Sequence, residues 1–427
     1  MLAICRAIRG GTSPLIGVTG STGQLGGRVA IRLAAHGQDQ RLIVRNLARA
    51  PQLPGAEVVQ AAYEDTPSMR AVLRGVHTLF LVSGWGAKRV EQHYSAIDAA
   101  VAAGVVTEQT NATTTQCWCP VAKAWVTDLL DQLSIPTSML PPVVEAGTVL
   151  GQVLPELRGD LGGARVVAPA THDTGSAIVA TPVSLTDGWG YISSGTWSLV
   201  GLELQNPVMT PEVLAANCTN EGGVFGTTRF LKNVMGLWLL QECQRHWARE
   251  SRASDYNTLL ADVDGVPAFA TLIDPDDPRF LAPEDMLAAI NSYLQEHGQT
   301  LLSAPAAFAR CIMESLVLRY REVFQQINGL TGVVINEVHV LGGGARNARL
   351  NQWLADALDL PVIAGPYEAT ALGNALMQLV GLGELRNLEE VRTVAQGAPT
   401  QVFAPRTSQL AAWNEAAQSF SAMVGDQ

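Results

Sequence analysis

Short apolar runs that end in glycine turns recur along the chain, and each is followed by a stretch with helical spacing. Leu15-Ile-Gly-Val-Thr19 runs into Gly20-Ser-Thr-Gly23-Gln-Leu-Gly26, and a helical pattern then covers Arg28–His36. Runs of this length bounded by glycine predict buried strands. Further strands are expected at Arg41–Val44 and Thr78–Val82, with a helix over Arg89–Ala103. In the second part, Ala164–Ala168 predicts a strand that opens into Pro169-Ala-Thr-His172-Asp173-Thr174. Gly190–Val200 reads as a hairpin around Ser194-Gly195-Thr196. Val338–Leu341 ends in Gly342-Gly343-Gly344 before a helix over Asn347–Leu358, and Val362-Ile363 precedes a helix over Ala369–Leu379. Asn233 is expected near a helix start, Gln241 in the middle of a helix, and Trp197 and Trp238 in packing positions. Strands alternating with helices predict an α/β protein.

Length and charge divide this pattern in two. A chain of 427 residues has room for two domains. Residues 1–105 carry 11 Lys+Arg against 6 Asp+Glu, and the remainder carries 17 against 33. So acidic a second part argues against a nucleic-acid partner, which needs clustered cations. With 47% hydrophobic and 16% charged residues, and no apolar run near the roughly 20 residues of a spanning helix, no membrane partner is expected either. The first residues lack the apolar core of a signal peptide, so a cytoplasmic location is expected. The six cysteines are scattered. Cys117-Trp-Cys119 lacks the partner spacing of a metal site, so reduced thiols and no protein-held metal are expected.

In the first part, strand, glycine turn and helix follow one another in the order that a dinucleotide site requires. Gly20 would permit the tight turn, Gly23 would let the backbone approach a pyrophosphate, and Gly26 would let helix and strand pack closely. The second strand ends at Arg45, where a carboxylate would bind the ribose of NAD; an arginine instead favours the 2′-phosphate of NADP(H). Val18–Gly26, Val44-Arg45 and Glu91–Ala100 resemble the NmrA-like branch of the short-chain dehydrogenases. The resemblance stops at about residue 105, before the substrate half of such a domain. No Tyr-x-x-x-Lys occurs, so no proton donor of the usual dehydrogenase kind is available. The segment reads as half of a Rossmann-like parallel sheet. It joins the following text between Ala103 and Asn111 without a Gly/Ser/Pro spacer, as a fusion would.

In the second part, an acidic residue in a His/Thr/Gly loop directly after a strand stands where scaffolds present catalytic groups. The Ser/Gly/Thr turn offers backbone N–H groups and hydroxyls to phosphate oxygens, and the Gly342–Gly344 turn before a helix suits a nucleotide. A Gly-x-x-x-x-Gly-Lys-Ser/Thr loop is absent, which excludes a P-loop kinase. Glycine hairpins with strand–turn–helix units point to an actin-like (ribonuclease-H-like) ATPase domain. Asn111–Gln116, Leu140–Pro142, Thr171–Thr174, Ser193–Ser198, Asn220–Gly223, Leu231–Gln241, Leu341–Gly344 and Glu368–Asn374 resemble the rhamnulokinases within the FGGY family of carbohydrate kinases. The resemblance divides the chain into the NmrA-like segment at 1–105, a remnant of the kinase first domain at 106–145, and the kinase C-terminal domain at 146–427. It implies ATP with Mg²⁺ as phosphoryl source and L-rhamnulose as acceptor. It further implies Asp173 as general base, His172, Thr174 and Asn233 at the sugar, and Thr196, Gln241, Gly343 and Gly344 at the nucleotide. The family also supplies a phosphate loop from a first domain that this chain lacks. A fusion that binds NADP(H) or ATP without turnover is therefore the second expectation.

Overall fold

The computed structural model describes residues 4–6, 15–22, 24–35, 37–62, 66–74, 76–80, 106–152, 164–184, 188–249 and 256–425. The chain forms two units, residues 1–144 with 149–166, and residues 145–148 with 167–427.

The first unit holds a five-stranded sheet. Its strands are β1 (Ile4–Arg6), β2 (Leu15–Thr19), β3 (Gln40–Val44), β4 (Ala56–Gln60) and β5 (Val76–Phe80), in the order β1-β5-β2-β3-β4. The four strands from β2 to β5 are parallel, and β1 adds an antiparallel edge beside β5. With β2 taken as the first strand, the parallel order is 3-2-1-4, the first half of a doubly wound sheet. Helix α1 (Gln24–Ala35) crosses between β2 and β3, and Val18, Ala30 and Leu42 form the small core beneath it. Helix α2 (Thr66–Leu73) lies between β4 and β5, with Ile43, Ala61 and Met69 buried together. The sequence pattern had predicted β2, β3 and β5 but not β4. The helix expected over Arg89–Ala103 lies outside the described residues.

The second unit is organised by a seven-stranded sheet. Its strands are β6 (Trp189–Ser194), β7 (Trp197–Leu204), β8 (Thr219–Gly222), β9 (Thr228–Met235), β10 (Glu337–Leu341), β11 (Val362–Ala364) and β12 (Gln401–Phe403). They run in the order β8-β9-β7-β6-β10-β11-β12. β8, β9, β7 and β6 are successively antiparallel, β6, β10 and β11 are parallel, and β12 closes the edge antiparallel to β11. Tyr191, Ile192, Val200, Leu202, Phe230 and Val340 are all almost wholly buried, so the sheet is covered on both faces. On one face lie α3 (Asp173–Val179) and α7 (Ala369–Leu382), with Ala177, Ile178, Tyr191, Leu231, Leu341 and Ala369 packed together. The larger core includes α4 (Trp238–Arg249), the 27-residue α5 (Pro305–Thr331) and α6 (Ala348–Leu358).

Candidate functional site

Two glycine turns meet at one end of this sheet. Ser194 closes β6, and Leu341 closes its parallel neighbour β10, where Ser193 pairs with Leu341. The Gly342–Gly344 turn folds directly against Ser194. Gly342 adopts φ +78°, and a Cβ on Gly344 would stand 2.0 Å from Ser194 Oγ. A side chain cannot be accommodated there, so the turn must be glycine for the two strand ends to approach. Gly343 itself is exposed, with open space around the position of a Cβ.

The second turn, Ser194-Gly195-Thr196, joins β6 to β7 and is fastened to the start of α4. The amides of Leu237 and Trp238 donate to the carbonyls of Gly195 and Thr196 at 3.3 and 3.1 Å. Gly236 makes this possible, since a Cβ there would lie 2.6 Å from Ser198 Oγ and 2.9 Å from Thr196 O. The same junction brings the Thr196 hydroxyl within 3.5 Å of Gln241 Oε1. Thr196 and the Gly343-Gly344 turn thus sit at strand ends, where α/β sheets bind ligands, with Gln241 beside Thr196 at the start of α4. Exposed backbone amides and a hydroxyl in such a turn can cradle phosphate oxygens.

Three sequence expectations change here. Gln241 stands in the first turn of α4 rather than mid-helix, its amide bonded to the Leu237 carbonyl. Asn233 is not near a helix start. It lies exposed within β9, opposite Leu199, because Gly236 separates the strand from the helical Trp238–Gln241 run. Trp197, expected to pack, is 44% exposed beside Thr196. Trp238 does pack on the core, and its indole N–H donates to Phe280 O at 3.1 Å.

The His172–Thr174 group opens α3. His172 is the N-cap residue, and its Nδ1 accepts from the Thr174 amide at 3.1 Å. Asp173 Oδ1 accepts from the same amide at 2.6 Å and lies 3.3 Å from His172 Nδ1. The loop is pinned from below: the buried Ser176 hydroxyl donates to Ala170 O at 2.7 Å, and the Thr370 hydroxyl on α7 donates to Asp173 O at 3.2 Å. Gly373 lets α7 lie directly on α3, since a Cβ there would come 1.8 Å from Ser176 O. The Asp173 carboxylate is 82% exposed on this rigid base. An exposed carboxylate held by a buried scaffold is available to an incoming hydroxyl.

Beneath His172 lie two residues the sequence reading did not single out. Glu221 on β8 and Arg229 on β9 are cross-strand partners, with Arg229 Nη1 3.0 Å from Glu221 Oε2. Arg229 is fully buried, and its Nε donates to Gly222 O at 3.0 Å. Glu221 Oε2 stands 3.9 Å from His172 Nε2. Burial, and then the Arg229 guanidinium, hold the imidazole's pKa below its ordinary value, against the opposing pull of Glu221 and Asp173. Asn220–Gly223 had marked the segment but not the charge within it. Arg229 and Asn233 are four residues apart along β9, about 13 Å at the usual rise.

The first unit presents its own glycine turn. Gly20 adopts φ +62°, and a Cβ on Gly26 would come 2.4 Å from Gly20 O. Gly26 therefore does what a third glycine does, letting α1 close onto the end of β2. The Ser21 hydroxyl is buried with no hydrogen-bond partner. Arg45 is exposed just after β3, its carbonyl accepting from Gln60 Nε2 at 3.0 Å. Gly23 lies outside the described residues. Among the described residues no group of three or more His, Cys, Asp or Glu side chains could hold a metal ion. Nor is any described helix long and apolar enough to cross a membrane.

Two family models match separate parts of the chain. Residues 12–109 match the NmrA-like family, and residues 190–382 match the C-terminal domain of the FGGY family of carbohydrate kinases. A rhamnulokinase from Pectobacterium carotovorum is 44% identical over 304 residues, covering 71% of this chain and 60% of that protein. One from Enterococcus faecalis is 43% identical over 305 residues, covering 70% and 60%. The chain thus spans about three-fifths of the length of these relatives. Among solved structures, a gluconate kinase from Lactobacillus acidophilus aligns with a TM-score of 0.60 at 17% identity, covering 75% of this chain and 64% of that one. A xylulose kinase from Rhodospirillum rubrum aligns at 0.60 and 18%, covering 84% and 71%. These likenesses establish the actin-like ATPase fold. Residues 190–382 thus carry the C-terminal domain of the FGGY family of carbohydrate kinases, following an NmrA-like segment at residues 12–109, and the chain is similar in sequence to rhamnulokinases.

Proposed function

We propose that the chain acts as an ATP-dependent sugar kinase of rhamnulokinase type, converting L-rhamnulose to L-rhamnulose 1-phosphate. The observation that carries this reading is the exposed Asp173 carboxylate, fixed at the start of α3 by Thr174, Ser176 and Thr370. Asp173 takes the proton from the sugar's 1-hydroxyl as that oxygen attacks the γ-phosphorus. The bond from phosphorus to the bridging β–γ oxygen breaks, and ADP leaves. His172, Thr174 and Asn233 hold the sugar. Thr196, Gln241 and the amides of Gly343 and Gly344 hold the nucleotide. Mg²⁺ supplies charge neutralisation at the phosphates. The ion would be carried with the nucleotide, as is usual for this metal.

ADP release is measured with ATP and L-rhamnulose, beside Asp173→Ala. Turnover in the parent and a loss of about 10²–10⁴-fold in the variant are expected, the range for removing a general base. Turnover equal in both proteins refutes the assignment of Asp173. No turnover, with ATP still bound, leaves the second expectation, a nucleotide-binding fusion.

For the first unit we propose NADP(H) binding at Gly20, Gly23 and Gly26, with Arg45 at the 2′-phosphate. The close approach of Gly26 to Gly20 and the buried Ser21 hydroxyl fit a phosphate-bearing ligand at this turn. Arg45→Ala is expected to reduce the preference for NADPH over NADH about tenfold in a fluorescence titration, the value of one exposed charge-assisted contact. An unchanged preference counts against Arg45.

A further inference from the structure

The Glu221–Arg229 pair is oddly placed for a device of stability. Glu221 is 8% exposed and Arg229 fully buried, yet their contact is an ion pair without hydrogen-bond alignment. Glu221 Oε2 and both terminal nitrogens of Arg229 lack hydrogen-bond partners. A buried pair so poorly satisfied contributes little to folding compared with an apolar replacement. Among the described residues its neighbour with a chemical task is His172, whose Nε2 faces Glu221 Oε2 at 3.9 Å, beyond a formed hydrogen bond but well within electrostatic reach.

The other ring nitrogen fixes the imidazole's state. Nδ1 accepts from the Thr174 amide at 3.1 Å, an N–H it shares with Asp173 Oδ1 at 2.6 Å, and this contact favours the neutral ring's proton on Nε2, directed at Glu221. Protonation at Nδ1 would set two donors against each other at Thr174. It would also aim a new N–H at Asp173 Oδ1, which lies 3.3 Å away. An imidazolium there would occupy the carboxylate that the sugar hydroxyl needs.

We infer that Glu221 and Arg229 are positioning residues that keep His172 neutral in its Nε2–H tautomer, so that Asp173 remains free to accept the substrate's proton. This deepens the kinase reading and rests on it for the role of Asp173. Glu221 orients the ring by accepting toward Nε2–H. Arg229 offsets the carboxylate's charge, so that Glu221 does not draw a second proton onto the ring. Burial acts in the same direction as Arg229. Among the described residues, the charged groups that act on the ring are Asp173 on its own helix, Glu221 from β8 and Arg229 from β9. The buried Tyr191 hydroxyl from β6 feels the same pair and is held protonated by burial.

The test is long-range ¹H–¹⁵N NMR of the full chain with labelled histidine, without substrates, His172 being assigned by the signal lost in His172→Gln. The Nε2–H tautomer is expected near pH 8, with a titration midpoint below that of exposed histidines. Glu221→Gln removes the attraction and leaves Arg229, so the midpoint moves lower. Arg229→Gln leaves the carboxylate unopposed, so it moves higher. A role confined to packing would not give shifts of opposite sign. The Nδ1–H tautomer in the parent, or midpoints unmoved in both variants, overturns the inference. The parent's tautomer decides the matter if either variant fails to fold. Because no turnover is measured, failure of the kinase reading would appear separately, in the ADP assay with Asp173→Ala.

Discussion

Gly373→Ala is the sharpest perturbation of the scaffold under Asp173. In most helices the change stabilises by about 1 kcal/mol, because alanine is the better helix former. At residue 373 the new Cβ would stand 1.8 Å from Ser176 O, 2.6 Å from Ser176 C and 2.9 Å from Val179 Cγ1. Two of these atoms belong to the backbone of α3, so no rotamer change relieves them. Ordinary contact begins near 3.4 Å, and α3 and α7 must therefore part by about 1.5 Å. Overpacking of this kind costs about 1–3 kcal/mol, and a backbone clash belongs at the upper end. After the propensity gain, a net loss of about 2 kcal/mol is expected. Gly329 supplies the comparison: it is exposed in α5 with nothing near its Cβ position, so Gly329→Ala should gain up to about 1 kcal/mol. Urea unfolding of both variants reads the difference directly. The Thr370 hydroxyl that holds Asp173 O is three residues from Gly373, so the displacement reaches the proposed base. A shift of about 1 Å there is worth about 100-fold in rate. If Gly373→Ala were as stable as Gly329→Ala, the close helix contact would be refuted, and with it the claim that this glycine positions Asp173.

Three further changes test the surrounding structure. Asn347→Ala removes the N-cap of α6, whose Oδ1 accepts from Leu350 N at 3.0 Å, and strands the Tyr256 hydroxyl bonded to its Nδ2; a loss of about 2 kcal/mol in chemical denaturation is expected. Asp356→Ala leaves Arg406 without the fully buried carboxylate that accepts from its amide and its guanidinium, and should cost about 3 kcal/mol, with faster hydrogen exchange in the β12 edge. Thr196→Ala takes a hydroxyl from the turn facing Gln241 and should weaken ATP about tenfold in equilibrium binding, leaving the unfolding midpoint within about 0.5 kcal/mol of the parent because the residue is exposed.

Much of the sheet could be read from the sequence where a strand ended in glycine. The β6–β7 hairpin, β10 with its glycine turn, and β2 with its turn all follow from local chemistry, because conformations that only glycine adopts leave a mark in one dimension. Elements without such punctuation did not show. β4 is five residues long, and its exposed Glu57 and Gln60 break any apolar run. The long α5 escaped for the opposite reason. From Cys311 to Leu318 every residue is buried, Glu314 and Ser315 included, so the 3.6-residue alternation that signals a surface helix is absent.

The site divides along the same line. His172, Asp173 and Thr174 are consecutive, and Ser194–Thr196 and Gly342–Gly344 are single turns, so each group was visible as a motif. Their association depends on pairings that no local pattern records. Leu341 reaches Ser193 across 148 residues of sequence, and Glu221 meets Arg229 only because β8 and β9 form a hairpin around Phe225 and Gly226. Arg229 is the instructive case. In sequence it is one cation between Thr228 and Phe230, with Lys232 close by, where a solvated edge would be the ordinary reading. In the fold it is fully buried, and a buried guanidinium requires a carboxylate. That requirement leads to Glu221, and from Glu221 to the imidazole beside the exposed aspartate. The site is therefore built in two layers. The outer carries the residues that a motif shows, and the inner carries the charges that set their protonation, reached only through the sheet's register.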